Sequence, residues 1–359
     1  MSRYLSFALF ITVASLVLFG MQFYVARRTF TLFSWSYTPY TTLAVVLLTL
    51  FIPFAMFLAT ATWNRAVQIL YVAAMTYLGV LWLAFAMNVA YHPVDFFLPG
   101  LRPIARYALP AVLAVAVVYA LINAQRLTVR EVTITSPRLP ADFNVAQISD
   151  LHLGAAHGRG MLADIVTRTK ALAPDFVVLS GDLFDGSGRV TPETLAPFSE
   201  LDMPVFMVLG NHDQYADVER ILPIIATTNI RLLRNQVVTH EGLLLVGVDN
   251  IETGRKKALA KFLASLPAES EAFRLLLFHQ PMPLSFLEEH DIDLHLAGHT
   301  HGGQIFPFNL MTHLFYSHIR GLGEQNGHYL HVSPGSSTWG PAMRLGSQNE
   351  ISMLRLRRR

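Results

Sequence analysis

Five short blocks after residue 125 carry most of the side chains that can bind metal ions. They are Asp150-Leu-His152, Gly181-Asp182, Gly210-Asn211-His212-Asp213, Phe278-His279-Gln280 and Gly298-His299-Thr-His301. Thirteen of the fourteen histidines also follow residue 125. Carboxylate and amide oxygens and imidazole nitrogens are ligands of divalent cations. The set is large enough for two ions, so we expect a hydrolytic dinuclear centre.

Each block follows an apolar run that predicts a β-strand. The predicted strands are 127–135, 143–149, 176–180, 205–209, 243–248, 275–278, 294–297 and 329–332, and the predicted helices are 160–173, 218–227, 256–266 and 283–290. This alternation is typical of an α/β fold with helices packed on a sheet. Because five strands end at the five blocks, we expect the side chains to meet at one edge.

The five blocks differ in how strongly each one, taken alone, predicts a metal site. A D-x-H pair such as Asp150 and His152 is commonly a turn carboxylate beside a surface histidine, and Asp182 could simply cap the next segment. In the third block Asn211 can give its amide oxygen to a metal, His212 can protonate a leaving oxygen, and Asp213 can hold that imidazole in one tautomer. Their joint occurrence at strand ends favours a metal site.

In this order the blocks resemble the calcineurin-like metallophosphoesterase superfamily, whose pattern is D-x-H, G-D, G-N-H-[DE], a lone H and G-H-x-H. The resemblance covers roughly Val145 to Gly303, and every position is filled. Gln304 after the last block, with the apolar N-terminal part, is similar to the membrane-attached bacterial group that includes YkuE-like and YaeI-like phosphodiesterases. The resemblance implies a four-layer β-sandwich flanked by helices, instead of the simple open sheet that the pattern alone suggests.

The resemblance also implies two ligand sets. One metal would be held by Asp150, His152, Asp182 and His301, and the other by Asp182, Asn211, His279 and His299. Asp182 would bridge the two ions. His212 would face the substrate phosphoryl group as a catalytic residue, with Asp213 behind it.

Two cations roughly 4 Å apart would bind the phosphoryl oxygens and activate a bridging hydroxide for in-line attack. His212 would then donate a proton to the leaving alkoxide. Ligands of oxygen and nitrogen without thiolate suit Mn, Fe or Zn, and among these we expect Mn.

The charges divide the chain into two different parts. Residues 1–125 carry one acid, Asp95, and six arginines, whereas the remainder has 24 acids and 21 bases. Four charge-free stretches, 4–26, 29–64, 66–94 and 107–125, each contain or nearly fill the roughly 20 apolar residues that cross a bilayer. We therefore predict a four-helix transmembrane anchor over 1–125 and a catalytic domain over 126–359.

The expected location is the bacterial inner membrane, with several passes. Arg3, Arg65, Arg126, Arg130 and Arg138 lie on the side of the catalytic domain, against four arginines opposite, a count that favours the cytoplasm by one base. The absence of cysteine fits either side of that membrane. The terminal run Arg355-Leu-Arg357-Arg358-Arg359 is expected to be a solvated tail or to rest on anionic headgroups.

The first hypothesis is a membrane-anchored phosphodiesterase or pyrophosphatase acting on a lipid-linked phosphate, such as a phospholipid or a UDP-diacylglucosamine-like molecule. The alternative is a phosphodiesterase of a soluble substrate that is only addressed to the membrane. A transporter or sensor is disfavoured because the apolar stretches have no acid. A nucleic-acid substrate is disfavoured by the slightly negative catalytic domain. The lipid bilayer is the expected partner, and no protein partner is predicted.

Three features outside the blocks stay open at this level. The apolar stretch from Ile305 to Tyr316 is either a wall for a lipid substrate or core packing. Arg320 and Arg344 either hold phosphate or are solvated. His295 is expected to be a structural histidine more than a group behind the metal ligands.

Overall fold

The computed structural model of the chain describes residues 3–250, 255–266 and 271–359. These residues form two compact units. Unit 1 comprises residues 1–122 together with 340–343, and unit 2 comprises residues 123–339 together with 344–359.

Unit 1 is built from four long helices. They are α1 (Arg3–Phe33), α2 (Pro39–Ala61), α3 (Arg65–Phe97) and α4 (Arg102–Asn123). The side chains of Thr38 and Asn64 accept hydrogen bonds from the first turns of α2 and α3, so polar caps begin both helices. Pro53 and Pro110 lie inside α2 and α4 without ending them, as expected for membrane helices.

Three candidate membrane spans are found in the described residues, not the four that were predicted. They are Pro39–Ala61, Arg65–Phe97 and Pro99–Asn123. The remaining prediction falls on α1, where the side chains of residues 1–8, 10 and 11 lie outside the described part of the chain. The third helix also runs on to Phe97, so that Asp95 belongs to the same helix as an apolar span.

Unit 2 contains two six-stranded sheets in its described residues, with strand orders β1-β12-β2-β3-β4-β5 and β10-β11-β9-β8-β7-β6. The strands of the first are β1 (Leu127–Ser136), β2 (Phe143–Ile148), β3 (Phe176–Leu179), β4 (Val205–Met207), β5 (Ile230–Leu232) and β12 (Asn349–Arg358). The strands of the second are β6 (Gln236–His240), β7 (Leu243–Gly247), β8 (Arg274–Leu277), β9 (Leu294–Ala297), β10 (Gly321–Gln325) and β11 (His328–Val332). The eight predicted strands are all present, with ends shifted by a few residues.

The helices of unit 2 pack on the sheets or follow the strand ends. They are α5 (Arg159–Ala171), α6 (Pro192–Leu195), α7 (Asn211–Tyr215), α8 (Val218–Ile225), α9 (Arg255–Leu263), α10 (Leu284–Glu289) and α11 (Phe308–Thr312). Short 3₁₀ turns cover Pro99–Leu101 in unit 1 and Ala196–Glu200 and His301–Gly303 in unit 2. The four predicted helices correspond to α5, α8, α9 and α10.

Three apolar clusters separate four layers. One cluster joins the first sheet to helices such as α5, the second fills the space between the sheets, and the third joins the second sheet to α9 and α10. On β3, Val177 belongs to the first cluster and Val178 to the second, because successive strand residues point to opposite faces. The prediction of a four-layer sandwich flanked by helices is confirmed.

The C-terminal segment corrects one prediction, because Asn349–Arg358 is a strand inside the first sheet. It pairs in parallel with β1 and antiparallel with β2. Its apolar residues alternate between two cores, with Met353 in the first cluster and Leu354 in the second. Arg355 pairs with Glu131 at 2.9 Å. Most of the arginine-rich run 355–359, which we predicted to be a solvated tail or to rest on headgroups, is therefore part of a β-sheet.

Candidate metal centre

The five blocks converge where β2, β3, β4, β8 and β9 end. Three groups of side chains there have ligand atoms within 4.8 Å of one another. The groups are Asp150 with His152 and His301, Asp182 with His279 and His299, and His152 with Asp185 and His212. The structure therefore brings together all seven predicted metal ligands when Asn211, which contacts His299, is included.

The first group is almost fully buried. His152 Nε2 lies 3.0 Å from His301 Nε2, and His301 Nε2 lies 3.5 Å from the nearer carboxylate oxygen of Asp150. Both oxygens of Asp150 also accept from the backbone N–H of His299, at 3.0 and 3.2 Å. This contact fixes the carboxylate against the loop that carries the last two histidines.

The second group contains Asp182, Asn211, His279 and His299. His279 Nε2 lies 3.0 Å from Asp182 Oδ2, and His299 Nδ1 lies 2.8 Å from the amide oxygen of Asn211. His279 Nδ1 donates to the carbonyl of Ser180 at 2.8 Å, so Nε2 is the nitrogen left to face the site. Asp182 Oδ2 is also 3.8 Å from His152 Nε2, which places it between the groups.

These spacings fit metal coordination. Two ligands about 2.1 Å from one ion and at right angles are about 3 Å apart, and the shortest contacts in the two groups, 2.8 to 3.0 Å, have this length. Among the described residues, the buried Nε2 of His279 has no well-aligned hydrogen bond and faces a carboxylate oxygen of Asp182 at 3.0 Å. A cation bound between these two atoms would satisfy both of them. The residues therefore fit the two divalent ions that the donor set suggests.

The backbone of the site is strained at the ligand positions. Asp150, His152, Asp182, His299 and His301 have φ values of 54°, 46°, 54°, 72° and 49°. Residues other than glycine seldom adopt this left-handed region, and such strain is concentrated at functional sites. Glycine is required beside them, because a Cβ at Gly298 would collide with Ser149 and Asp150.

The protein groups alone produce opposed electrostatic effects in the site. Burial lowers the pKa of His301 well below its ordinary value, which favours the neutral imidazole that binds a metal. Burial also acts to lower the pKa of His279, but the carboxylate of Asp182 outweighs it and raises that pKa to about 9. Burial raises the pKa of Asp150. The buried carboxylates of Asp150 and Asp182 thus stabilise the protonated form of His279.

His212 stands at the mouth of the site. Its Nδ1 donates to the backbone carbonyl of Asp185 at 3.0 Å, which leaves Nε2 as the nitrogen available for proton exchange. Burial lowers the pKa of His212. Its ring lies 5.2 Å from that of Tyr215 and 5.5 Å from that of Trp339, both exposed.

Asp213 does not hold the imidazole of His212, which corrects the role predicted for it. Its carboxylate accepts from the backbone N–H groups of Asp182, Phe184 and Gly210, at 2.9, 2.8 and 2.8 Å. These bonds tie the end of β4 to the loop after β3. Burial, and then the charge of Asp182, raise the pKa of Asp213 to about 7. The side chain therefore positions the loops that carry the candidate metal ligands.

Asp185 is a site residue that the sequence prediction missed. Its carboxylate lies 3.5 Å from Nδ1 of His152 and accepts from the hydroxyl of Ser187. A carboxylate behind the second nitrogen of a metal-ligating histidine fixes the ring and raises its basicity. The spacing of three residues after Asp182 was the available signal.

Other candidates have structural roles. Arg344 is fully buried and donates to the carbonyls of His301, Pro334 and Ser337, so it does not face a phosphate. It secures the loop that carries His301. His295 is buried and bonded to the carbonyl of Phe278 at 2.9 Å, as expected of a structural histidine.

The stretch after the last ligands is exposed. Leu314 and Phe315 are 78% and 75% exposed. The neighbouring ring of Tyr316 lies 5.6 Å from that of the candidate ligand His299. We call the exposed apolar side chains here the apolar rim, which comprises Phe306, Phe308, Leu310, Met311, Leu314 and Phe315. Core packing, the other reading of this stretch, does not apply to these side chains.

Comparison with known proteins agrees with the site. The family model of the calcineurin-like phosphoesterases matches residues 143–303. An uncharacterised metallophosphoesterase of Campylobacter jejuni is 31% identical over 68% of this chain and 68% of its own length. A transmembrane protein with a metallophosphoesterase domain from Bos taurus is 33% identical over 71% of this chain and 62% of its own.

The phosphodiesterase YaeI of Escherichia coli is 29% identical over 60% of this chain and 83% of its own length. Members of the family bind two divalent metals, in agreement with the candidate clusters described above. The chain therefore belongs to the calcineurin-like metallophosphoesterase family and is a metal-dependent phosphoric ester hydrolase.

Proposed function

We propose that the protein is a membrane-anchored phosphodiesterase or pyrophosphatase whose substrate is a lipid-linked phosphate. The apolar rim carries this proposal. Six large apolar side chains are exposed within the stretch that follows the ligands His299 and His301. An exposed apolar patch of this kind beside a catalytic site is typical of a surface that binds apolar ligand groups.

Two divalent ions supply charge neutralisation of the phosphate and an activated water when bound. The residues of the chain provide the surrounding chemistry. Asp185 holds the ring of His152, and Asp213 fixes the loops that carry Asp182 and Asn211. His212, oriented by the carbonyl of Asp185, is placed to donate a proton from Nε2 to the leaving oxygen.

We favour manganese among Mn, Fe and Zn. The candidate ligands are carboxylate, amide and imidazole groups, and cysteine is absent from the chain. Hard oxygen donors suit Mn, while the imidazoles also accept Fe and Zn. Metal analysis of protein expressed in medium containing all three, followed by activity after reloading with each, tests this choice.

The proposed location is the bacterial inner membrane, with unit 2 on the cytoplasmic side. Three apolar helices long enough to cross a bilayer support membrane attachment, and the count of arginines supports the cytoplasm. The chain has no cysteine, so Glu241→Cys introduces a single labelling site at an exposed position of unit 2. Labelling by a membrane-impermeant maleimide only after lysis is expected, and labelling of intact spheroplasts contradicts the assignment.

The substrate proposal is tested with the full chain, because residues 340–343 belong to unit 1 and lose their surroundings in a truncation. Purified protein with Mn²⁺ is assayed on a soluble aryl phosphodiester, a phospholipid and a nucleotide-lipid pyrophosphate. The double variant Leu314→Ser, Phe315→Ser is expected to lower kcat/KM about tenfold or more for the lipid substrate alone, since each buried apolar side chain contributes about 1.5–3 kcal/mol.

The matched control is Val129→Ser on β1, another exposed apolar residue of unit 2. It is expected to leave both activities unchanged. Hydrolysis of the soluble diester with none of the lipids, or an equal loss on both substrates in the rim variant, contradicts the lipid assignment. The first of these results favours the alternative, a phosphodiesterase of a soluble substrate.

A further inference from the structure

Unit 1 contains a charged cluster at the end of its helices. Asp95 on α3 accepts from Arg28 of α1 at 2.9 Å and from Arg102 of α4 at 2.6 Å. Arg27 and Arg106 lie at the same helix ends, the first over the ring of Tyr37 at 4.9 Å and the second bonded to Leu32. Two arginines therefore pair with one carboxylate and two more lie at the same helix ends, so this end of unit 1 has an excess of positive charge.

The arginines keep donors beyond those used by Asp95. Arg28 contributes one terminal nitrogen to the ion pair, and its buried Nε has no partner among the described residues. The side chain of Arg102 is 44% exposed, so its guanidinium reaches the surface of the unit. Guanidinium groups bind phosphate through paired charge-assisted hydrogen bonds.

An apolar cavity, largely open to the outside of the unit, lies one helical turn from this cluster. It has a volume of about 600 Å³ and is lined by Tyr24, Phe85, Val89, His92, Pro93 and Phe96. Tyr24 precedes Arg28 by four residues on α1, and His92 precedes Asp95 by three on α3, so each pair shares a helix face. Within this lining, the hydroxyl of Tyr24 and Nδ1 of His92 are 2.9 Å apart.

The depth of these features matches the two parts of a phospholipid. The helix α3 has 33 residues, about 50 Å, and exceeds the roughly 30 Å hydrocarbon core of a bilayer. Its end, with Asp95, is therefore expected at headgroup level. From Phe96 to Phe85 the cavity extends about 16 Å along the helix toward the centre.

We propose that unit 1 binds one anionic phospholipid, with its phosphate on Arg28 and Arg102 and an acyl chain in the cavity beside Val89. The arrangement places a cationic, partly desolvated headgroup site directly above an apolar slot. Neutral lipids fill apolar grooves equally well, but they lack the net negative charge that the excess arginines require. The site shares no residue with the metal centre, and the proposal does not rest on the proposed substrate.

The test uses metal-free full-length protein in a neutral detergent, so that hydrolysis cannot remove the probe. The thermal midpoint is followed against added dioleoyl phosphatidylglycerol, dioleoyl phosphatidylcholine or glycerol phosphate, and native mass spectrometry counts bound lipid. A ligand that binds only the folded state stabilises it by RT ln(1 + [L]/Kd), so the midpoint rises with the logarithm of the ligand concentration. We expect phosphatidylglycerol alone to raise the midpoint in this way, with one lipid bound to each protein.

Two variants test the contributions of the lipid headgroup and of the acyl chain separately. Arg102→Gln removes a phosphate ligand while Arg28 still pairs with Asp95, and Val89→Trp fills the cavity without a change of charge. Each is expected to weaken phosphatidylglycerol binding about tenfold, which is about 1.4 kcal/mol. The controls Arg65→Gln and Val112→Trp, on exposed positions of α3 and α4 outside the site, are expected to bind like the parent.

Equal stabilisation by both lipids overturns the proposal, because the arginines would then contribute nothing. A full effect of glycerol phosphate alone also overturns it, since the cavity would have no role. Unchanged binding in both site variants does the same.

Discussion

The Nε2 atoms of His152 and His301 lie 3.0 Å apart in the folded protein, although 149 positions separate the two residues in the chain. Two neutral imidazoles with facing lone pairs repel each other unless a proton or a cation lies between them. The carboxylate of Asp150 closes the same group from 3.5 Å. This geometry makes the metal occupancy of the first group directly testable.

Replacing His301 by alanine is expected to remove one of the two metal equivalents and to lower affinity at that position at least roughly tenfold. The reason is that Asp150 and His152 then lack the third ligand of their group. Elemental analysis of purified protein after dialysis measures the content. His313→Ala, at an exposed position of the same region, is the control, and two retained equivalents in the His301 variant contradict the assignment.

Replacing His212 by glutamine is expected to lower kcat roughly 10²- to 10⁴-fold on an alkyl phosphodiester. The loss is expected to be much smaller on a p-nitrophenyl ester, because that leaving group needs no proton. Metal content stays unchanged, since the carbonyl of Asp185 is the bonded partner of the ring. Steady-state kinetics on the two esters measures the difference, and equal losses argue against a proton donor.

Asp213→Asn is expected to act on stability, in contrast to His212→Gln. The carboxylate accepts three backbone N–H groups, and an amide presents only one acceptor oxygen. Leaving a buried N–H without a partner costs about 1–3 kcal/mol. Thermal unfolding measures the change, with Asp217→Asn on the exposed start of α8 as control. A normal midpoint combined with lost activity restores a catalytic role for Asp213.

The buried histidines His295 and His331 predict acid sensitivity. Burial lowers the pKa of each to about 4, below the roughly 6.5 of an unfolded histidine. Between these values the unfolded chain binds more protons than the folded one, so the free energy of unfolding falls as pH falls through this window. His331→Gln keeps a polar group facing Gln147. It is expected to reduce the slope of the free energy of unfolding against pH by the equivalent of about one bound proton.

Denaturation of the full chain at several pH values gives the slope. Arg234→Gln, which alters an exposed pair with Asp249, is the control and is expected to keep the parent's dependence between pH 4 and 6.5. A slope unaffected by loss of His331 contradicts this origin.

The candidate ligands and most strands can be predicted from the sequence alone, because metal binding needs particular atoms and a buried strand needs a continuous apolar run. Asp150, His152, Asp182, Asn211, His279, His299 and His301 are recognisable from type, order and position after such runs. The alternation of Val177 and Val178 between two cores likewise follows from the period of a strand.

Other features depend on partners far away in the chain and are visible only in the folded structure. The arginine-rich C-terminus became β12 because β1 and β2 supply hydrogen bonds on both sides. The carboxylate of Asp213 accepts hydrogen bonds from backbone N–H groups of another loop, and the ring of His212 is hydrogen-bonded to the carbonyl of Asp185. Local sequence does not predict such contacts, because the energy of a buried polar group depends on which distant residue lies within hydrogen-bonding distance in the folded protein.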